Sequence, residues 1–257
     1  SEINELSEIK NLPTIKDLLM HTGGFTYHNY RAVGKEYLNK KLFFSQDTTL
    51  EEEINILSKI PLLYQPGTKW KYSVSTDILA RVLEVVINKP LQVILKENIF
   101  NPLKMNDTKF NVDEINTARV MKSYNYSKND SRLKNIDLND PENIPFGYPL
   151  NKKTFARGGH GLFSTIDDYV KFANMLLDGK STDGTKIIEK KTIDTMSVNN
   201  LTENLLPIEI KSEDEEKNKN FQNSLRPYGW GLGFRSLMSV EKNENFGSIG
   251  EFGWAGA

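Results

Sequence analysis

Apolar residues recur at helical spacing through the middle of the chain and give way to alternation only near its C-terminal end. Ile78, Leu79, Val82, Leu83, Val85 and Val86 form one wide apolar face, the three-to-four-residue spacing of a helix packed on a core. Ser75 or Thr76 can cap that helix, and Asp77 in its first turn caps it or meets its dipole. Upstream, Thr14 and Asp17 make a capping-box-like start for a short helix through His21, stopped by Gly23 and Gly24. A tyrosine-rich loop follows. Thr48 or Thr49 with Glu51, Glu52 and Glu53 opens a helix carrying Ile54, Leu57 and Ile60, which Pro61 ends. Pro90 opens another through Ile99.

Residues 111–153 are polar, rich in Asn, Asp, Lys and Pro and without a readable period, which predicts a long surface excursion at the rim of a site. Ser164-Thr165-Ile166-Asp167-Asp168 then caps an amphipathic helix through Leu177 that Gly179 closes, and a shorter helix is expected from Glu189 to Val198. The acidic run Glu213-Asp214-Glu215-Glu216, within residues 209–220, reads as a solvated loop. Beyond it Tyr228, Trp230, Leu232 and Phe234 alternate with Gly229, Gly231 and Gly233, a strand with one face on a core and the other closely packed. Residues 246–250 and 252–257 are expected to add sheet segments. With no internal repeat, helices in the middle and strands at the end, the pattern predicts a mixed α+β chain in which a sheet supports a helical region.

Composition narrows the function. The 257 residues are 38% hydrophobic and 26% charged with a net charge of -1, enough for one large core and too balanced to attract nucleic acid or an anionic membrane. The absence of cysteine excludes disulfides, thiol catalysis and thiolate metal sites. Three dispersed histidines make no metal motif, so no metal is expected. No apolar run approaches the ~18 residues of a membrane helix, since Arg81, Glu84 or Lys96 breaks each candidate. The chain reads as soluble, cytoplasmic or periplasmic, with oligomeric state undetermined.

Candidate chemistry centres on Pro66-Gly67-Thr68-Lys69-Trp70-Lys71-Tyr72-Ser73-Val74-Ser75-Thr76-Asp77, a loop that delivers Tyr72 to the start of the apolar helix. A tyrosine held there suits proton transfer, which needs a base within hydrogen-bond reach of its target. The structural alternatives are plain. Tyr72 and Trp254 could be packing aromatics, Gly158 to Gly161 fit a tight turn, His160 fits a rim, and His21 and His28 fit packing or solvent. Ser73 has no base beside it in sequence.

Thr14-Ile15-Lys16-Asp17-Leu18-Leu19-Met20-His21-Thr22-Gly23-Gly24-Phe25, the Tyr72 segment, Asn101-Pro102-Leu103-Lys104-Met105 and Gly158-Gly159-His160-Gly161-Leu162-Phe163-Ser164-Thr165 together resemble the serine beta-lactamase-related hydrolases. Tyr228-Gly229-Trp230-Gly231-Leu232-Gly233 and Phe252-Gly253-Trp254-Ala255-Gly256-Ala257 extend the likeness along the chain. The nearest likeness is to the esterase branch. The resemblance implies a beta-lactamase/transpeptidase-like α/β fold, an antiparallel sheet with flanking helices plus a largely helical region. Residues 1–257 would then be one incomplete domain, with a mainly helical part at 14–205 and sheet strands at 221–257. It also implies acyl transfer through a Ser-x-x-Lys serine, an active-site tyrosine matched by Tyr72, and a third motif matched by Trp254-Ala255-Gly256. Tyr72 would be general base and then acid, the Ala257 N–H an oxyanion donor, and Trp254 and Gly256 would line the pocket. Tryptophan stands where beta-lactamases usually carry lysine or histidine, and Val74 where class C enzymes carry asparagine, which favours small esters over lactams.

The family's nucleophile motif precedes the Thr14 segment by tens of residues. Ser7-Glu8-Ile9-Lys10 has its letters, but Pro13 follows too soon and no apolar run buries a helix there. The chain is therefore expected to be truncated at both ends, to lack its nucleophile region and to be inactive alone. The alternatives are a beta-lactamase or D-alanyl carboxypeptidase-like acyl transfer on an amide substrate, or a catalytically dead cleft-binding protein.

Overall fold

The computed structural model describes residues 6–28, 31–43, 48–112, 114–127, 131–136, 156–210, 225–240 and 247–254. Part of the polar excursion, the whole acidic run Glu213-Asp214-Glu215-Glu216, and Phe246, Ala255, Gly256 and Ala257 lie outside them. Among the described residues the helices are α1 (Ile15–Leu19), α2 (Arg31–Asn39), α3 (Leu50–Leu57), α4 (Ser75–Ile87), α5 (Leu91–Leu95), α6 (Ile166–Asp178) and α7 (Lys190–Ser197). The strands are β1 (Ser123–Ser127), β2 (Arg132–Ile136), β3 (Tyr228–Trp230), β4 (Arg235–Leu237) and β5 (Phe252–Gly253).

Two helix starts are reciprocal capping boxes. Thr14 Oγ1 accepts from the Asp17 N–H while Asp17 Oδ2 accepts from the Thr14 N–H, and Thr49 pairs with Glu52 in the same way, so two orphan donors are satisfied at each end. Helix α1 stops at Leu19, two residues short of His21, whose φ of +57° is incompatible with another helical turn. Helix α4 begins at Ser75 after Val74, with no side-chain cap. The expected cap residues are engaged elsewhere: Ser75 Oγ bonds Ser73 Oγ, and Asp77 Oδ1 accepts from the Gly159 N–H. The helix opened by Pro90 passes into a π-helical turn over Lys96–Phe100.

Helix α4 is the centre of the helical region, packing against α1, α3 and α5. Its N-terminal half buries Ser75, Asp77 and Ala80, whereas Leu83, Val85, Val86 and Ile87 are exposed, Val86 by 75%. The apolar face read from the sequence is wider than the surface its three neighbours cover. Val33, Tyr37, Leu42, Phe43, Leu50, Leu57, Val74, Ala80, Leu91 and Phe110 form the core beneath it. Arg31–Asn39 supplies Val33 and Tyr37 from within the stretch read as a tyrosine-rich loop.

The sheet is antiparallel in the order β3-β4-β5, with Tyr228 opposite Leu237 and Ser236 opposite Phe252. The alternating run ends earlier than predicted. Gly231 donates to the Phe234 carbonyl and Gly233 adopts φ +96°, turning the chain after Trp230 into β4. The polar excursion holds a two-stranded hairpin, β1 with β2, whose Tyr124, Tyr126 and Leu133 are exposed. No helix among the described residues is long and apolar enough to cross a membrane.

A second core joins the sheet to the helical region: Met20, Trp70, Leu201, Ile208, Leu225, Tyr228, Trp230 and Leu237, with Tyr72 and Trp254 packed on it. Trp230 donates its indole N–H to the Leu19 carbonyl at 3.1 Å, pinning β3 to the end of α1. That bond brings the two ends of the chain together at Tyr72.

Candidate active site around Tyr72

The Tyr72 loop lies along residues 21–26 through a series of backbone hydrogen bonds. Gly67 donates to the Thr22 carbonyl, Lys71 to that of His21, Leu63 to that of Gly24 and Val74 to that of Thr26. Gly24 is required twice over, by its φ of +89° and by the Tyr64 carbonyl 2.5 Å from where a Cβ would stand. The sequence His21-Thr22-Gly23-Gly24 thus forms the bed on which the tyrosine loop rests.

Tyr72 is half-buried among four aromatic rings, with centroids at 4.8 Å (His21), 5.4 Å (Tyr27), 6.2 Å (Trp230) and 4.9 Å (Trp254). Trp254, immediately after β5, donates its indole N–H to Tyr72 Oη at 3.0 Å. Two candidate residues taken from opposite ends of the sequence therefore meet. Burial, then the neighbouring oxygens of Tyr72 and Asp77, push the Tyr27 phenol far above its ordinary range, so it keeps its proton beside the Tyr72 ring. One neutral donor, the Trp254 indole, engages the Tyr72 oxygen, which leaves other directions in which a proton can arrive and leave. Tyr27 was missed in the sequence because nothing in its local pattern distinguishes it from the neighbouring tyrosines.

Beneath the loop, Ser73 is fully buried, with its Oγ 2.8 Å from Ser75 Oγ and 3.2 Å from His21 Nδ1. An imidazole does stand beside Ser73, contrary to the sequence reading, but both groups are shut away from any substrate. Ser7 lies in extended, exposed chain and accepts a hydrogen bond from Gln65 Nε2, with no helix to present it.

Behind α4, Arg157 Nη2 donates to Glu53 Oε1 at 2.9 Å and to the Thr48 carbonyl at 2.8 Å, all but sealed from water. Asp77 Oδ1 accepts from the backbone N–H of Gly159 at 3.1 Å, which holds the glycine turn against α4. Gly158 admits no side chain, since a Cβ would stand 2.0 Å from the Thr76 carbonyl. The glycine turn is structural, as its sequence suggested. His160 is exposed at its edge, and partial desolvation of its ring, with the Arg157 charge adding, pushes its imidazole down to about 4. Water reaches the ring and screens that charge, so its effect on stability is small.

Two fully buried groups set opposing pH dependences. Burial lowers His21 to about 3, so it is neutral when folded while the unfolded residue takes a proton below about pH 6.5. Its contribution is complete above pH 6.5 and is withdrawn as pH falls towards 3, on the order of 4–5 kcal/mol over the window. Burial, with the Glu53 charge adding, raises Asp77 to about 6 against the opposing Gly159, Arg157 and Gly158 contacts. Its contribution is present below about pH 4 and is lost as pH rises through 6, on the order of 3 kcal/mol. Proton uptake by Asp77 therefore offsets part of the acid loss caused by His21. Urea unfolding of the complete gene product at pH 7.5, 6, 5 and 4 should show a steeper loss below pH 6 for Asp77→Asn than for wild type. Equal slopes would mean that Asp77 ionises normally.

The family model named Beta-lactamase matches residues 7–257. The chain is 29% identical over 250 residues to protein Rv1367c of Mycobacterium tuberculosis, covering 95% of this chain and 57% of that one. It is 33% identical over 179 residues to the lovastatin esterase of Penicillium rubens, covering 64% of this chain and 39% of the relative. In structure it is similar to EstCE1, a hydrolase with promiscuous acyltransferase activity, with a TM-score of 0.70 at 22% identity over 93% of this chain and 60% of the other. The chain spans little more than half the length of the first of these relatives and less of the second. With this order of segments, this sheet and this tyrosine, the chain belongs to the Beta-lactamase family.

Proposed function

We propose that this chain carries the proton-transfer side of an acyl-transfer site that hydrolyses small carboxylic esters through a serine acyl-enzyme. The observation that carries the reading is the Trp254 indole on Tyr72 Oη at 3.0 Å. An indole N–H is a donor that never bears a charge, so the site has no cation there to attract the carboxylate of a lactam or peptide substrate, and a neutral ester fits it better. The lovastatin esterase likeness supports the same substrate class.

In this reading the serine hydroxyl attacks the ester carbonyl and gives its proton to a phenolate-like Tyr72 Oη, whose own proton is held by the lysine of the Ser-x-x-Lys motif. The proton then passes to the departing alcohol oxygen, and an acyl-enzyme remains. Water attacks that ester with Tyr72 again receiving the proton, and acid and free serine result. The Ala257 N–H is proposed as an oxyanion donor beside Trp254 and Gly256. The nucleophile is assigned to a segment outside the described residues, because Ser7 has no helix and Ser73 and Ser75 are sealed in the core.

Turnover of p-nitrophenyl acetate and butyrate, with nitrocefin alongside, tests this for the complete gene product and for residues 1–257 alone. The complete product is expected to hydrolyse the esters faster than nitrocefin, and residues 1–257 alone to be inactive. Nitrocefin cleaved faster than the esters would reverse the substrate class, and robust turnover by residues 1–257 would place the serine within them.

A further inference from the structure

We infer that His21 is the positioning residue of Tyr72, holding both peptide units that flank it. Its carbonyl oxygen accepts from the Lys71 N–H at 2.9 Å, and its Nδ1 accepts from the Ser73 N–H at 3.3 Å. One residue thereby fixes the backbone immediately before and immediately after the tyrosine. The inference rests on the proton-transfer role of Tyr72 for what is positioned, but the clamp itself is geometric.

Three features make this more than packing. The carbonyl is fully used, since Tyr64 Oη also donates to it at 3.2 Å. The side chain is 1% exposed, so the Ser73 N–H has no water to replace a lost acceptor and an unmade bond there is costly. The φ of +57° restricts the position to glycine and the few side chains that tolerate left-handed backbone, asparagine, aspartate and histidine. Glycine has no acceptor to offer, and aspartate would bury a charge. A neutral imidazole with its proton on Nε2 satisfies the backbone, the burial and the Ser73 amide together. Its ring is tilted by 51° against that of Tyr72 at 4.8 Å and makes a T-shaped contact with Trp230 at 5.1 Å, so the clamp also sets the angle at which the phenol meets Trp254.

Two variants of the complete gene product separate positioning from bulk. Asparagine places an amide oxygen where Nδ1 stands and tolerates positive φ, whereas glutamine places its oxygen nearer Nε2. His21→Asn is expected to keep kcat for p-nitrophenyl butyrate within roughly fivefold of wild type, and His21→Gln to lose roughly 10- to 100-fold with KM little changed, the scale of a reacting group displaced by about an ångström. Hydrogen exchange of the Ser73 amide reports the clamp without any activity. Exchange should be slow in wild type and His21→Asn and much faster in His21→Gln, and nitrogen-15 histidine spectra should show Nδ1 unprotonated. Equal kcat in the two variants, Ser73 exchange as slow in His21→Gln as in wild type, or a protonated Nδ1 would each overturn the clamp. Loss of all ester turnover by the wild-type product would instead refute the esterase reading and leave the exchange result to decide the clamp.

Discussion

Replacing Tyr72 by phenylalanine in the complete gene product is expected to lower kcat for p-nitrophenyl acetate by roughly 10²–10⁴-fold, the range for loss of a general acid–base group. The ring stays, with its contacts to His21, Tyr27, Trp230 and Trp254, so KM should change little. What is lost is the oxygen that accepts the Trp254 N–H. That donor would lose its acceptor at a cost of about 1–3 kcal/mol if water does not reach it, so thermal unfolding must be measured beside the kinetics. Tyr27→Phe alters a neighbouring ring but leaves the shuttling oxygen, and its kcat should fall far less. A Tyr72→Phe enzyme that keeps more than a tenth of wild-type kcat, or a Tyr27→Phe loss of equal size, would move the proton transfer to another residue.

The capping boxes at Thr14 and Thr49 were legible because their signal is local: two side chains three residues apart satisfy each other's backbone donors. The α6 boundaries followed similarly from Thr165 and Gly179. Tyr72 stood out from its loop alone, but that it shares a site with Trp254 was implied only by the family resemblance, since 182 residues separate them and no periodicity links a loop to the end of a strand. Helix α2 escaped notice because Gly34 and its polar residues dilute an apolar face that only Val33 and Tyr37 bury deeply. The cap of α4 was misread for a different reason: Ser75 and Asp77 suit a cap by type, yet tertiary partners claim both. His21 was read as packing or solvent-facing, and packing was half the answer. Its acceptor role depends on Ser73, 52 residues away. The β1–β2 hairpin exposes Tyr124, Tyr126 and Leu133, apolar side chains that carry no inward-facing alternation to read.

The buried charges behind α4 lead to the largest expected effect on stability. Arg157 meets Glu53 across 104 residues, with both side chains almost fully enclosed and Asp77 buried close by. Thr48 supports the pair by donating its hydroxyl to Glu53 Oε1 at 2.7 Å and accepting from Arg157 at its carbonyl. Arg157→Met fills much of the same volume but leaves two carboxylates in a dry site with no cation. Breaking one side of a buried pair in this way costs about 3–5 kcal/mol. The size should depend on pH, because an unpaired buried carboxylate escapes the penalty by taking a proton. Burial already outweighs the Arg157 charge in raising the Glu53 carboxyl, and without that charge both carboxyls rise further. Urea unfolding should therefore show a larger loss for Arg157→Met at pH 8 than at pH 5. Adding Glu53→Gln should recover much of the loss at pH 8 by removing one of the stranded charges, and the recovery should shrink towards pH 5, as the raised Glu53 carboxyl takes up a proton in the single variant. A loss below about 1 kcal/mol at pH 8, or no recovery in the double variant, would mean that water enters the cluster and screens the pair.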